Sequence, residues 1–313
     1  MHPAKSVIFF RTASGAGYGL LIWLSLFAAA GRLPADPGFT LTTFALAFVL
    51  VIAGLLSSTF HLGHPERAWR ALSQWRTSWL SREGVAAIFT FAPAGLFALL
   101  WLMGEQGSLT TVLAVVTAVS CMLTVYCTAM IYASLESIPA WNTNWTAPGY
   151  HAMALATGAL LIDLMVRLWE LPGGGATSMV AALFLLIALG VKLIYWVKIR
   201  QPGESTAGTA TGLGDLGIVT LLEAPHEGQN YLLREMGFRI ARKHAGKLRR
   251  IAILLGFVLP LALSTANVWQ GGGMLLISIL AVGSAAVGIV TERWLFFAEA
   301  KHKVTLYYGE AAV

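Results

Sequence analysis

Charged side chains are scarce in this sequence: Asp, Glu, Lys and Arg make up 12% of the 313 residues, whereas hydrophobic residues make up 57%. This is too little polar surface to cover a water-soluble globular protein. Basic residues exceed acidic ones by a net charge of +6, and in so apolar a chain such an excess sets membrane orientation more often than it binds nucleic acid. The composition excludes a soluble domain and predicts a protein surrounded by lipid.

Cysteine and histidine, the usual ligands of redox metals, are also rare. The two cysteines, Cys121 and Cys127, are six positions apart in an apolar run, which fits neither a CxxC redox pair nor the four thiolates of an iron–sulfur cluster. Two membrane haems would need four buried histidines, but only His61 and His151 are near the ends of predicted helices. We therefore expect packing roles for the cysteines, no haem and no metal site. Any electrons would enter or leave through a partner's cofactors.

Eight apolar runs are each about as long as the roughly 20 residues that a helix needs to cross a bilayer. Backbone amides in the hydrocarbon must be hydrogen-bonded within their own segment, so these runs predict helices rather than strands. The sequence therefore predicts an all-α fold, a polytopic membrane helix bundle that residues 1–313 form as one domain. The expected spans are about 7–30, 40–62, 84–103, 109–134, 147–169, 177–199, 250–270 and 273–298.

A few polar residues fall inside these spans or at their ends. Asp163 and Arg167 are four positions apart in the fifth span and can meet on one helix face. A structural ion pair is expected there, and a proton path remains an alternative. Residues 271–273 are all glycine and predict a tight turn between the last two spans, with Asn267 and Gln270 at the surface.

Basic residues in the connections predict the orientation, because Lys and Arg accumulate in short cytoplasmic loops. The opposite side has only Arg32 and Arg167, with Lys192 near the end of its helix. Both termini and the connection of about 200–249 are therefore expected in the cytoplasm. Residues 231–244 of this connection have the pattern of an amphipathic helix, which could lie on lipid or on a partner subunit. The residues on the cytoplasmic side are Lys5, Arg11, Arg67, Arg70, Arg76, Arg82, Lys198, Arg200, Arg234, Arg239, Arg242, Lys243, Lys247, Arg249, Arg250, Arg293, Lys301 and Lys303.

The densest polar group in the sequence connects the second and third spans. An imidazole there could donate a hydrogen bond to a quinone oxygen, and a carboxylate could exchange the quinone's protons. The same residues also fit an interfacial belt, in which Trp lies at the headgroups and Arg reaches the phosphates, so both interpretations stay open. The group consists of His61, His64, Glu66, Arg67, Trp69, Arg70, Trp75, Arg76, Trp79, Arg82 and Glu83.

Residues 58–68 (STFHLGHPERA) and 78–83 (SWLSRE) resemble the signature of the dimethyl sulfoxide reductase membrane anchor family. The stretch 132–150, with SIPAW at 137–141 and WTAP at 145–148, resembles the next block of that family. The resemblance covers the first five spans well. The last three match mainly in hydropathy.

The resemblance implies a haem-free anchor subunit of a complex iron–sulfur molybdoenzyme. Such an anchor holds a four-cluster iron–sulfur subunit and a molybdopterin catalytic subunit at the membrane and exchanges electrons with ubiquinone or menaquinone. The substrate's own chemistry then belongs to the partner, and no residue of this chain is expected to be catalytic. The resemblance assigns the quinone site to His61, Gly63, Arg67 and Glu83, and Trp69 and Trp79 are possible lining residues.

Orientation narrows the expected role. The dimethyl sulfoxide reductase type has its N-terminus outside, whereas the basic bias here turns the N-terminus inward, so the partner subunits should dock on the cytoplasmic face of a bacterial inner membrane. This fits the branch of the family that anchors the cytoplasmic sulfite dehydrogenase. Reduction of dimethyl sulfoxide, polysulfide or thiosulfate remains an alternative, as does a structural anchor without a ligand. A transporter would need broken helices with polar groups at the midplane, whereas the ionisable residues here are near the interfaces.

Overall fold

The computed structural model describes residues 5–61, 64–200, 205–223, 242–269 and 274–313, and for Phe60 and His61 it describes the backbone only. These ranges form helices and no strand. Eight helices are long and apolar enough to cross a membrane, which confirms the predicted all-α membrane bundle. They are α1 (Lys5–Ala29), α2 (Pro37–Ser57), α3 (Trp79–Leu102), α4 (Ser108–Ala133), α5 (Thr146–Leu168), α6 (Gly174–Ile199), α7 (Ala245–Trp269) and α8 (Leu275–Ala298).

The connection between α2 and α3 spans residues 58–78, which is as long as the predicted 63–83 but begins five residues earlier, and much of it is 3₁₀ helix. α2 is followed at once by a 3₁₀ turn, Ser58–His61, and a second 3₁₀ helix spans Pro65–Gln74. α3 begins at Trp79, five residues before the expected position, because the Ser78 side chain caps it by accepting a hydrogen bond from a backbone N–H of the first turn. The helix therefore includes Glu83, which the sequence placed just before it.

α1 is the central helix of the bundle and packs against α2, α4, α5 and α8. Glycines allow the closest approach. A Cβ on Gly19 would lie 1.8 Å from the carbonyl oxygen of Ala154 in α5, and one on Gly158 would lie 2.1 Å from the carbonyl carbon of Gly19. The backbones of α1 and α5 thus touch, and no larger residue fits at either glycine without separating them.

The two ends of the bundle are defined by the contacts between helices. At one end, which we call the basic end, α1, α3, α5 and α7 begin and α2, α4, α6 and α8 end. The Tyr195 hydroxyl near the end of α6 donates to the carbonyl of Ala140 at 3.0 Å in the connection before α5. Lys192, three residues earlier in the same helix, therefore belongs to the basic end, and its placement on the opposite side was wrong.

At the opposite end, which we call the far end, one prediction needs correction. Asn267 was expected at the surface, but it is 2% exposed. Its Nδ2 donates to Ser278 Oγ of α8 at 2.9 Å, and this contact turns the side chain into the bundle. Gln270 and residues 271–273, predicted to form the turn, lie outside the described residues, as does most of the predicted amphipathic helix at 231–244.

Candidate functional site

Glu83 is a buried carboxylate near the start of α3, with 3% of its surface exposed. Arg11 Nη1 of α1 donates to Glu83 Oε1 at 2.7 Å. Thr128 Oγ1 of α4 donates to the same oxygen. A carboxylate buried in a membrane bundle needs such partners, so Glu83 is held where three helices meet.

Arg11 is the cation that organises this meeting point. Its Nε donates to the hydroxyl of Tyr132 in α4 at 3.1 Å. The guanidinium carbon also lies 4.2 Å from the ring centroid of Phe10 and 4.9 Å from that of Tyr132. The arginine is thus paired, hydrogen-bonded and covered by aromatic faces, an arrangement that retains a positive charge away from water.

The 3₁₀ helix Pro65–Gln74 lies over the turn of α3 that contains Glu83. Ser81 Oγ donates to the carbonyl oxygen of Ala71, and a Cβ on Gly84 would lie 2.7 Å from Leu72 Cδ2. These contacts, on both sides of Glu83 in sequence, fix the connection to the start of α3. The connection therefore forms a cover over the start of α3.

The other predicted site residues do not gather around Glu83. Arg67 is exposed and its Nε is 3.6 Å from Glu66 Oε1, while Trp69 is 69% exposed. Trp79 is half-buried, and its ring lies under the Arg82 guanidinium at 4.2 Å. His61 ends a 3₁₀ turn beside this cover, but the His61 side chain and Gly63 lie outside the described part of the chain.

A second buried ionic group, which the sequence analysis missed, lies at the same end of the bundle. Glu292 of α8 pairs with Lys192 of α6, and its Oε2 is 2.5 Å from Arg293 Nε. Lys192 Nζ lies 3.9 Å from the ring centroid of Tyr195, and the Arg293 guanidinium lies 4.7 Å from that of Tyr150. Glu292 is fully buried, so this group, like the first, is paired inside the protein.

Aromatic rings fill the space between the two ionic groups. Tyr132 and Tyr150 stack with their centroids 5.9 Å apart, and Trp141 stacks on Phe296 at 5.7 Å. We call the two groups and these rings the basic-end layer. Among the described residues this layer holds three buried cations and two buried carboxylates, a formal excess of one positive charge: Arg11, Lys192 and Arg293 against Glu83 and Glu292.

A cavity of about 20 Å³ lies inside the basic-end layer, with Arg11 and Arg293 both in its wall. The hydroxyls of Tyr18 and Tyr150 belong to residues of the same wall, are buried, and have no hydrogen-bond partner within the described ranges. A space of this size can hold about one water molecule. The cavity therefore offers one hydroxyl from α1 and one from α5 that have no hydrogen-bond partner among the described residues.

A larger apolar groove of about 280 Å³ runs beside the cavity, and its lining comes from α1, α2, α5 and α8. Its rim includes exposed residues such as Phe9 and Val290. Cavity and groove share the wall residues Thr12, Ala16, Thr157 and Ile289.

At the far end, Asp163 and Arg167 form the predicted ion pair, with Arg167 Nε 3.4 Å from Asp163 Oδ2. The carboxylate also accepts hydrogen bonds from Thr177 Oγ1 at 2.7 Å, Ser178 Oγ at 2.6 Å and Ser278 Oγ at 2.8 Å. These donors come from α6 and α8. The group is saturated with donors, which fits the structural role expected for it.

Three of the residues considered as metal or haem ligands have side chains that the structure describes: Cys121, Cys127 and His151. Cys121 and Cys127 are buried free thiols, which agrees with a packing role. His151 has both ring nitrogens beside backbone carbonyls, Nδ1 at 2.9 Å from Ala147 and Nε2 at 3.1 Å from Met122. Across the described ranges, no three His, Cys, Asp or Glu side chains are grouped closely enough to hold a metal ion.

Sequence reasoning found Glu83 but missed its partner. Arg11 was counted only as an orientation marker, although it lies six residues inside α1. An ionisable residue within an apolar span is expensive and normally has a functional or pairing role. The same signal would have found Lys192, Glu292 and Arg293, which lie well inside α6 and α8.

Comparison with known proteins places this arrangement in a family. A family model described as the DMSO reductase anchor subunit (DmsC) matches residues 1–211. The C subunit of the sulfite dehydrogenase of Allochromatium vinosum is 34% identical, with 100% of both proteins covered. The C component of the anaerobic dimethyl sulfoxide reductase of Escherichia coli is 30% identical over 159 residues, which cover 50% of this chain and 55% of the relative. With eight apolar helices and a match over both halves, the chain belongs to the DMSO reductase anchor subunit family and is a multi-pass membrane protein homologous to the C subunit of sulfite dehydrogenase.

Proposed function

We propose that this chain is the quinone-binding membrane anchor of a molybdopterin and iron–sulfur oxidoreductase, and that the complex oxidises sulfite. The observation that carries the proposal is Glu83, a buried carboxylate held by Arg11 beneath the short connection that bears His61. A quinone needs both hydrogen-bond donors and an exchangeable proton near the interface. This corner of the bundle supplies them within one apolar, aromatic surrounding.

Glu83 serves as the proton relay. Arg11 and Thr128 both donate to Oε1, so Oε2 is outside these two contacts and is the atom that takes up or releases the proton. The ion pair fixes the carboxylate in one orientation, in which it can accept a proton from the cytoplasmic side. His61 donates to a quinone oxygen, and Gly63 belongs to the same site.

Arg67 and Trp69 act at the surface rather than in the pocket. Both are exposed on the 3₁₀ helix Pro65–Gln74, next to the equally exposed Arg70 and Arg76. A basic surface of this kind attracts an acidic partner. We infer that an iron–sulfur subunit with an acidic face docks here, on the cytoplasmic side of the inner membrane, and brings its clusters close to the quinone site.

Sulfite is the favoured substrate because the likeness to the C subunit of sulfite dehydrogenase extends over the whole of both proteins. In the catalytic partner, sulfite and water give sulfate, two protons and two electrons. The electrons pass through the partner's iron–sulfur clusters, and a quinone takes up two electrons and two protons to become a quinol. Glu83 and His61 of this chain deliver or stabilise the protons, and no electron carrier of its own is required.

Two alternatives have support of their own. A dimethyl sulfoxide reductase anchor is favoured by the likeness over half of the chain, and it would run the electrons from quinol to the partner. A structural anchor without a ligand is favoured by the closed Arg11–Glu83 pair, which would then serve only to join α1, α3 and α4.

The test is quinone reduction by the purified complex of this chain with its partner subunits. His61→Ala and Glu83→Gln should each lower sulfite-dependent quinone turnover by at least about a hundredfold, the lower end of the range typical of losing a general acid or base. Glu66→Gln is the matched control, since Glu66 is an exposed carboxylate in the same connection, and its turnover should stay at the wild-type rate. Unchanged turnover in both test variants would remove the two residues from the mechanism, and purification of the chain without iron–sulfur or molybdenum subunits would refute the redox role.

A further inference from the structure

The groove between α1, α2, α5 and α8 has the properties of a ligand site rather than of loose packing. Its floor is formed by buried small and apolar residues, Ala13, Leu160 and Ala285, and its rim by the exposed Phe9 and Val290. It is therefore open toward lipid and closed toward the protein. Its volume of about 280 Å³ is close to the lower limit of roughly 300 Å³ for small-molecule sites.

Behind the inner wall of the groove are two tyrosine hydroxyls, those of Tyr18 and Tyr150, that have no hydrogen-bond partner among the described residues. Tyr18 is 2% exposed and Tyr150 is 6% exposed. A buried hydroxyl without a hydrogen bond costs desolvation free energy and is therefore rare in folded proteins. Both belong to the cavity that shares Thr12 and Thr157 with the groove. The two hydroxyls can thus be satisfied by a water molecule in the cavity or by a polar group that arrives through this wall.

The cavity also connects the groove to the proposed proton relay. Arg11 and Thr128, the two donors to Glu83, both line the cavity. The cavity therefore lies between the groove and the two donors to Glu83. An acyl chain of an ordinary phospholipid would have no use for a polar cavity beside it, whereas a quinone, which has an isoprenoid tail and a polar ring, matches both parts.

We propose that a membrane quinone enters sideways from the lipid through this groove, that its ring moves along the Thr12–Thr157 wall toward the site of His61 and Glu83, and that its isoprenoid tail stays between α1 and α8. The inference rests on the proposed function and adds the route and the tail site, formed by residues outside the connection that bears His61. Tyr18 and Tyr150 are positioning residues here. They orient a water molecule in the cavity, which links the ring to Glu83.

The experiment uses the whole complex in vesicles of phosphatidylethanolamine and phosphatidylglycerol, with a ubiquinone analogue that has a photoreactive diazirine in its isoprenoid tail. After illumination, mass spectrometry should find the label on α1 and α8 peptides that contain Ala16 and Ala286, both groove residues. Unlabelled long-tailed ubiquinone should compete for this labelling. Labelling confined to the segment 58–83, or labelling of the groove that excess ubiquinone does not reduce, would overturn the tail site.

A blocking variant gives a second readout. Ala286→Trp should fill the groove and raise the KM for long-tailed ubiquinone by about tenfold, which corresponds to roughly 1.4 kcal/mol, while a ubiquinone without isoprenoid units should keep its KM. Ala45→Trp is the matched control, because Ala45 is exposed on α2 and does not line the groove. Val290→Phe, at the exposed rim, provides the same test with a smaller change. Equal KM values for the blocking and control variants would overturn the inference.

Failure of this inference differs from failure of the proposed function. If turnover depends on Glu83 but the groove is neither labelled nor sensitive to Ala286→Trp, the quinone approaches by another route and only the groove proposal falls. If the wild-type complex reduces no quinone of either kind and binds no label, the quinone function itself falls.

Discussion

Breaking the Arg11–Glu83 ion pair should both destabilise the protein and stop quinone turnover, and a double substitution can separate the two effects. Arg11→Gln leaves Glu83, which is 3% exposed, without its cation. Glu83→Gln leaves an arginine that is 7% exposed without its anion. Removing one partner of a buried pair lowers the free energy of unfolding by about 3–5 kcal/mol, and we expect each single variant to lose an amount in this range.

The double variant Arg11→Gln, Glu83→Gln removes both charges and lets two amides face each other. No uncompensated charge is left, so its loss of unfolding free energy should be smaller than that of either single variant. The double-mutant cycle of the wild type, the two single variants and the double variant should then give a coupling free energy of at least about 2 kcal/mol. It can be measured by titrating the detergent-solubilised complex with SDS and following the loss of helicity by circular dichroism.

Turnover should behave differently from stability in the same four preparations. An amide at position 83 does not exchange a proton near neutral pH, so the double variant should regain stability without regaining quinone reduction. Additive losses of unfolding free energy would contradict the ion pair. Recovery of turnover in the double variant would show that Glu83 only balances the charge of Arg11 and relays no proton.

Three further substitutions test other parts of the structure. Tyr150→Phe removes a hydroxyl that has no partner among the described residues, so the unfolding free energy should change by less than about 0.5 kcal/mol. The KM for quinone should rise about fivefold, which corresponds to the loss of one hydrogen bond. An unchanged KM would exclude a role for this hydroxyl. Asp163→Asn leaves Arg167 without its carboxylate and should lower the unfolding free energy by about 3–5 kcal/mol, measured by the same SDS titration. Turnover per folded molecule should change little. A large fall in turnover would point to a proton path instead. Gly19→Leu should abolish accumulation of the protein in membranes, as judged by immunoblot, because even a Cβ at this position would lie 1.8 Å from a backbone oxygen of α5. Gly95→Ala is the control: a Cβ at position 95 would face open space, so this variant should accumulate normally.

The fold could be predicted from the sequence because hydropathy and length decide which segments cross a bilayer. The ends of the helices were harder. Asp36 accepts a hydrogen bond from the backbone N–H of Phe39 at 2.7 Å and Pro37 starts α2, so polar capping residues extend the helix beyond the apolar run. Asn267 was misplaced for a different reason, since its partner Ser278 belongs to the next helix and such a contact leaves no trace in local composition.

For the site, the sequence could identify one side of an interaction but not the other. Glu83 stood out because it ends a dense polar connection, and the family resemblance added His61, Gly63 and Arg67. Arg11 is 72 positions away from Glu83 in sequence, and an arginine near the N-terminus is equally well explained as an orientation signal. Pairing across such a separation is a property of helix packing, and only the three-dimensional arrangement reveals it.

The excess positive charge of the basic-end layer gives the proposed function a physical basis. An electron placed on a quinone ring adds negative charge in a region of low dielectric constant, where a nearby fixed cation is far more effective than in water. Arg11 and Arg293 both line the cavity behind the Thr12–Thr157 wall of the groove, so on the proposed route the charge that favours the electron would lie close to the path of its proton. Because the groove opens to lipid on the other side of the same wall, the carrier can come from the membrane while electron and proton come from the basic end.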